Sequence, residues 1–123
     1  MYIETKNAPA AIGAYSQGVF KGNTLYVSGQ LPINPENGET KTDIAEATEQ
    51  CLKNVLAVVE AAGLKKHDIV RCGIFMKDLG QFKTMNEQYG EFFHDHKPAR
   101  AAIEAARLPK DVVIEIDAIA VKD

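Results

Sequence analysis

The apolar positions of the chain follow two periods. Between Ile44 and Ala62 they recur on one helical stripe through Cys51, Leu52, Val55 and Val59, which predicts an amphipathic helix. Asp43 and Glu46 have the spacing of a capping box at its start, and Gly63 followed by Leu64 fits a Schellman-type stop. The period then changes to two. Val70, Cys72, Ile74 and Met76 alternate with Arg71, Gly73, Phe75 and Lys77, the mark of a strand. A second helix follows, with Asp78 placed to cap it and Phe82, Met85, Tyr89, Phe92 and Phe93 as its apolar face. It fades at His94-Asp95-His96, ahead of Pro98.

The amino-terminal third reads as strands and loops. Tyr2 to Thr5 forms a short strand, and residues 7–16 an ordered loop broken by Pro9 and Gly13. Val19-Phe20-Lys21 and Thr24 to Ser28 flank Gly22-Asn23, the signature of a tight hairpin. Gly29 to Pro35 then leaves the sheet, because two prolines oppose strand continuation, and Glu36-Asn37-Gly38-Glu39 turns. At the other end, Ala101 to Ala106 favours helix locally, but Pro98 and Pro109 leave it little room. We therefore expect a strand, a Leu108-Pro109-Lys110-Asp111 turn and a last strand from Val112 to Val121, paired as a hairpin. The order β-β-β-α-β-α-β-β predicts one α+β domain over residues 1–123, with both helices on one sheet face.

The last strand has a face of Ile114, Ile116, Ala118 and Ala120, whose alanines suit helices lying close. Its other face mixes Glu115 and Asp117 with Val113, Ile119 and Val121. A solvated surface is the plain reading of those acids; the aliphatic residues argue for a partly covered face, most simply a subunit interface. In the hairpin register that sets Ala105 opposite Val112, Ala102 faces Glu115 and Arg100 faces Asp117, which gathers one guanidinium and two acids. Arg100 then has two readings: a fork for a substrate carboxylate, or a structural ion pair with Asp117 or Glu104. Asn86 lies on the stripe of Phe82, Tyr89 and Phe93, either as a core amide satisfied by backbone or as a group aimed at a ligand. Tyr15 in its loop, and Ser28-Gly29 at a strand end, are placed to reach a cleft.

Composition narrows the function. A net charge of −3 with no basic stripe disfavours nucleic acid. The apolar runs are too short to cross a bilayer, and residues 1–6 contain no signal core, so a soluble cytoplasmic protein is expected. Cys51 and Cys72 fall on apolar faces and read as reduced core residues. His94 and His96 lack an evident third ligand, which disfavours a metal site. Neither a glycine-rich phosphate loop nor a persuasive Ser/His/Asp set is present.

The stretches Asn7-Ala8-Pro9-Ala10-Ala11-Ile12-Gly13-Ala14-Tyr15, Val27-Ser28-Gly29-Gln30-Leu31-Pro32, Glu60 to Leu64, Met85-Asn86-x-x-Tyr89-x-x-Phe92-Phe93, Pro98-Ala99-Arg100 and Ala106-Arg107-Leu108-Pro109 through Val121 resemble the RidA (YjgF) family of enamine/imine deaminases. The resemblance implies a chorismate-mutase-like α+β domain with a mixed six-stranded sheet. It implies a homotrimer with clefts at the subunit interfaces. The implied reaction is cofactor-independent hydrolysis of 2-iminobutanoate and 2-iminopropanoate, released by pyridoxal-phosphate-dependent dehydratases, to 2-ketoacids and ammonia. By the same resemblance Arg100 holds the substrate carboxylate and Glu115 orients the attacking water. Tyr15, Ser28, Gly29 and Asn86 line the cleft, and backbone groups at Ala101 and Ala102 complete it. Many members carry cysteine where this chain has Ala102, so a thiol mechanism is untenable here. Only Lys97 separates His96 from Pro98, a shorter link than is common in the family. A non-catalytic ligand-binding trimer on the same scaffold, and an endoribonuclease, are the competing readings.

Overall fold

In the computed structural model, which describes residues 1–123, the chain runs β1 (Tyr2–Ile3), β2 (Gly18–Lys21), β3 (Thr24–Gln30), α1 (Ile44–Ala61), β4 (Ile69–Met76), α2 (Phe82–Phe93), β5 (Ala99–Glu104) and β6 (Ile114–Val121). The six strands form one mixed sheet in the order β1-β2-β3-β6-β4-β5. β6 is antiparallel to both of its neighbours, β3 and β4, whereas β4 and β5 are parallel.

The expected hairpin between the last two strands is therefore not formed. β4 lies between β5 and β6. The reason is the helix. A chain that leaves β4 through α2 and returns to the same sheet arrives parallel, beside the strand it left. The segment after β5 then crosses the end of β4 and enters on its other side. Ala105 N–H donates to Met76 O at 2.8 Å and Lys77 N–H to Val113 O at 3.0 Å, so the crossing is pinned from both flanks. The expected register fails with the hairpin. Arg100 is level with Cys72 and Ala118, Ala101 with Gly73 and Asp117, and Ala102 with Ile74 and Ile116. Arg100 does not face Asp117, and Ala102 does not face Glu115.

Both helices pack on the face of Ile114, Ile116, Ala118 and Ala120, all buried, as the alternation predicts. α1 contributes Cys51, Leu52, Val55 and Val59, and α2 contributes Met85, Tyr89 and Phe93. α1 is capped at both ends as expected. The Asp43 carboxylate accepts Glu46 N–H at 3.1 Å; Gly63 N–H donates to Glu60 O and Leu64 N–H to Val59 O, with Gly63 at φ +83°. This is the Schellman pattern, and its left-handed residue is where glycine is needed. Asp78 caps a short 3-10 turn, Leu79–Gln81, that feeds α2, rather than α2 itself.

Three boundaries differ from expectation. β1 ends at Ile3 because the Gln17 side chain takes both backbone groups of Thr5. β6 begins at Ile114, since residues 109–111 form a 3-10 turn. β3 continues through Gly29 to Gln30 by means of a bulge: Val27 pairs with Ala118 and Gln30 with Ile116, so Ser28 and Gly29 together oppose Asp117. The face away from the helices is bare. It presents Tyr26 and Ile103, each half exposed, with Phe75, Ile119 and Val121 half-buried around Glu115 and Asp117.

Candidate functional site

The expected site residues fall into two half-sites on opposite faces of the sheet. The first is built on the β3 bulge. The extra residue turns Ser28 and Gly29 toward β6, and the Glu115 carboxylate lies directly over Gly29. A Cβ at this position would meet Glu115 Oε2, so a side chain here would push the carboxylate aside. Glu115 is half-buried. Burial raises its pKa above the ordinary value, and the neighbouring Asp117 carboxylate raises it further. Asp117 itself accepts the Gly73 N–H at 3.0 Å, again over a glycine that leaves no room for a Cβ.

The loop 5–16 arches beside this half-site. Gln17, 3% exposed, is its anchor: Nε2 donates to Thr5 O, Ala8 O and Pro9 O, and Oε1 accepts Thr5 N–H at 2.6 Å. Ser28 Oγ donates to Ser16 O at 2.6 Å and Ser28 N–H to Gln17 O at 3.0 Å, tying the loop to the bulge. The Ser28 hydroxyl is thus engaged in holding the loop. Tyr15, 57% exposed, and Ser28 line one open cavity of about 1340 Å³ under the arch.

The second half-site lies at the sheet edge. β5 is the outermost strand, so its outer row of amides and carbonyls, including those of the Ala101–Ala102 stretch, has no strand neighbour. Arg100 shares the helix-side face with Cys72 and reaches α2. Its Nη1 donates to Asn86 Oδ1 at 2.8 Å, and its guanidinium carbon lies 4.8 Å from the Tyr89 ring centre and 5.5 Å from that of Phe82. Asn86 is exposed at the rim of the helical stripe, not in the core. Arg100 has no carboxylate within ion-pair distance; the ion pairs of the chain are Lys41–Glu39, Lys53–Glu49 and Lys77–Asp111. Both expected structural partners are engaged elsewhere: Asp117 by Gly73 N–H, and Glu104 by Leu79 N–H at 2.9 Å. Ala101 is exposed on the bare face, whereas Ala102 packs against the core.

Within one chain, then, Arg100 and Asn86 stand together on one side of the sheet, whereas on the other Glu115 lies over Gly29 and Ser28 shares an open cavity with Tyr15. The sequence reading missed the aromatic bed of Arg100. The apolar stripe by itself places Phe82 and Tyr89 in the core, yet each stands one turn from Asn86 and beside the Arg100 guanidinium. It also missed Gln17 and Asn54. Asn54 is buried, donates to Leu31 O and Ile33 O at 3.0 Å each and accepts from Gln50, which fixes the loop leaving β3. The polar positions flanking an irregular segment were the available signal.

The remaining candidates are structural. Cys51 and Cys72 are buried and free; burial lifts the Cys72 thiol to about 11. His96 Nε2 bonds Ile69 O at 2.6 Å and its ring stacks on His67 at 4.6 Å. No helix is long and apolar enough to cross a membrane.

The family profile described as Endoribonuclease L-PSP matches residues 5–122. The chain belongs to that family. It is 56% identical to the 2-iminobutanoate/2-iminopropanoate deaminase of Escherichia coli K12, over 98% of this chain and 96% of the relative. The crystal structure of the E. coli YjgF gene product superposes with a TM-score of 0.97 at 55% identity, covering 100% of this chain and 99% of that one. E. coli TdcF, solved with bound serine, superposes with a TM-score of 0.97 at 46% identity, covering 100% of this chain and 99% of that one. The resemblance to the RidA (YjgF) family stated from the sequence is the same relationship.

Proposed function

We propose that this chain is a 2-iminoacid deaminase that works as a homotrimer, with each site completed between two subunits. The observation that carries the reading is the unneutralised guanidinium of Arg100. A fixed arginine with no acid partner is matched to a ligand carboxylate, which it can hold through two parallel hydrogen bonds. The E. coli relative named as a deaminase of 2-iminobutanoate and 2-iminopropanoate acts on substrates that carry that group.

Glu115 supplies the complementary chemistry. A half-buried carboxylate of raised pKa is a stronger proton acceptor than an ordinary one. In the proposed reaction the water oxygen bonds to the imine carbon while Glu115 takes a water proton. Glu115 passes that proton to the nitrogen, giving the neutral carbinolamine; it then takes the hydroxyl proton as the carbon–oxygen double bond forms and delivers it to the nitrogen as the carbon–nitrogen bond breaks, so that ammonia leaves with the 2-ketoacid. The imine is already electrophilic, so positioning supplies much of the acceleration. Tyr15 closes the pocket from the arch, Asn86 holds Arg100, and the free backbone edge at Ala101 and Ala102 meets the substrate.

The trimer reading is supported by the bare sheet face, where Tyr26 and Ile103 are half exposed beside Phe75, Ile119 and Val121, and by the separation of the half-sites. Turning the bare face of one copy toward the β5 edge of the next joins Arg100 to Glu115. A coupled assay tests the function: the protein added to a serine/threonine dehydratase should accelerate ketoacid release. Arg100→Ala should reduce that acceleration by about a hundred-fold or more while the trimer persists. Full activity in the variant removes Arg100 from the site, and no acceleration by the wild type removes the deaminase reading. RNA cleavage that survives loss of both Arg100 and Glu115 would instead favour an endoribonuclease.

A further inference from the structure

The arginine is held in an unusual way. An exposed arginine ordinarily swings freely, and fixing it costs side-chain entropy. Here three residues on one side of α2, Phe82, Asn86 and Tyr89, hold it. Their contributions differ. Asn86 is exposed and offers one oxygen. Phe82 is at the solvent edge, 36% exposed, and is the more distant ring. Tyr89 is 7% exposed and the nearer ring.

Tyr89 is itself immobilised. Its ring packs against Phe93 at 4.8 Å between centres. Its hydroxyl has no oxygen or nitrogen partner and lies against the Cys72 thiol on β4, the residue level with Arg100. The phenol is therefore wedged between the core and the guanidinium. A ring face attracts the cation without consuming its N–H donors. Carboxylate or carbonyl groups in the same place would neutralise or occupy them.

We infer that Tyr89 is the positioning residue for Arg100: its ring face orients the guanidinium at the edge of β5 and leaves the donor fork open for a substrate carboxylate. The inference rests on the deaminase reading for the identity of that carboxylate. It makes the ring face, not the hydroxyl, the active feature. Tyr89 touches no reacting atom, so it acts on binding more than on the chemical step.

The test compares Tyr89→Phe, which keeps the ring, with Tyr89→Leu, which removes it, in the full-length protein. The first readout is the affinity for 2-oxobutanoate, a stable carboxylate ligand, together with KM and kcat in the coupled assay. The second is the NMR resonance of the Arg100 side-chain N–H, assigned by its loss in Arg100→Lys; stacking displaces it by ring current, whether or not ligand is present. Tyr89→Phe should stay within about three-fold of wild type with the displaced resonance intact. Tyr89→Leu should weaken 2-oxobutanoate and raise KM by about ten-fold, with kcat changed less than about two-fold and the resonance returned to its free position. Should Tyr89→Leu fold poorly, the comparison is made with Tyr89→Met. Leucine or methionine variants that are folded and bind like wild type overturn the inference, as does equal damage from phenylalanine. A wild-type protein that binds no ketoacid, yet whose Arg100 resonance responds to Tyr89→Leu, refutes the deaminase reading and supports the stack.

Discussion

At the scale of single residues, the proposed chemistry turns on the protonation of Glu115. Burial, and secondarily Asp117, raise its pKa, so the folded protein holds a proton that the unfolded chain has released. The sign follows directly. Its contribution to stability is complete below the ordinary carboxylate range and is lost as pH rises through the elevated value. The charged form that the proposed mechanism uses is the form that folding disfavours. Two consequences are measurable. The pH profile of kcat/KM should rise through the elevated pKa of Glu115, and Asp117→Asn should move that rise to lower pH by removing the neighbouring charge. Glu115→Gln should abolish the rise and remove the fall in melting temperature that the wild type shows as pH increases through the same range. A rise unmoved by Asp117→Asn would assign the titration to another group. Gly29 belongs to the same account: the acid occupies the space that any side chain there would fill.

At the scale of elements, what was legible in the sequence was whatever local spacing decides. The helix from Asp43 to Gly63, the Gly22-Asn23 hairpin and the alternation of the last strand each follow from neighbours in the chain. The pairing partner of β5 does not. It depends on α2 acting as a crossover, a property of three elements together, and a proline-bounded strand beside another strand invites the hairpin reading. The bulge at Ser28-Gly29 was hidden for a similar reason, since Pro32 suggested that the strand had already ended. Arg100, Glu115, Tyr15 and Asn86 were legible as unusual residues, but their division between two faces needed the strand order. Loop anchors form another class invisible to periodicity. Gln17 makes four hydrogen bonds to the arch from a buried position. Gln17→Leu should therefore destabilise the protein by about 2 kcal/mol, since it strands buried backbone groups. Its larger effect should be local: faster amide exchange at Thr5 and lower deaminase activity through displacement of Tyr15. Unchanged exchange at Thr5 would show that the arch is held by other contacts.

At the scale of the whole molecule, the single chain has two features that the proposed trimer accounts for at once. Its sheet has helices on one face only, and its arginine and acid lie on opposite sides of that sheet. A closed ring of identical copies uses one kind of contact repeatedly, so a contact that covers the bare face and joins the edge of β5 to Glu115 does so at every interface. This makes the two half-sites separable by subunit. Arg100→Ala and Glu115→Gln proteins should each be inactive alone. After unfolding and refolding together in equal amounts, random trimers should recover activity, because some interfaces then pair an intact Arg100 with an intact Glu115. With one required orientation, about a quarter of the interfaces qualify. Ile119→Asp, which charges the bare face, should leave a folded monomer with neither activity nor any capacity to complement, readable by sedimentation velocity and the coupled assay. Recovery near a quarter of the wild-type rate assigns the site to two subunits. Co-refolded trimers that stay inactive assign both residues to the same subunit's contribution, and the separation across the sheet would then require a rearrangement of β5 on assembly.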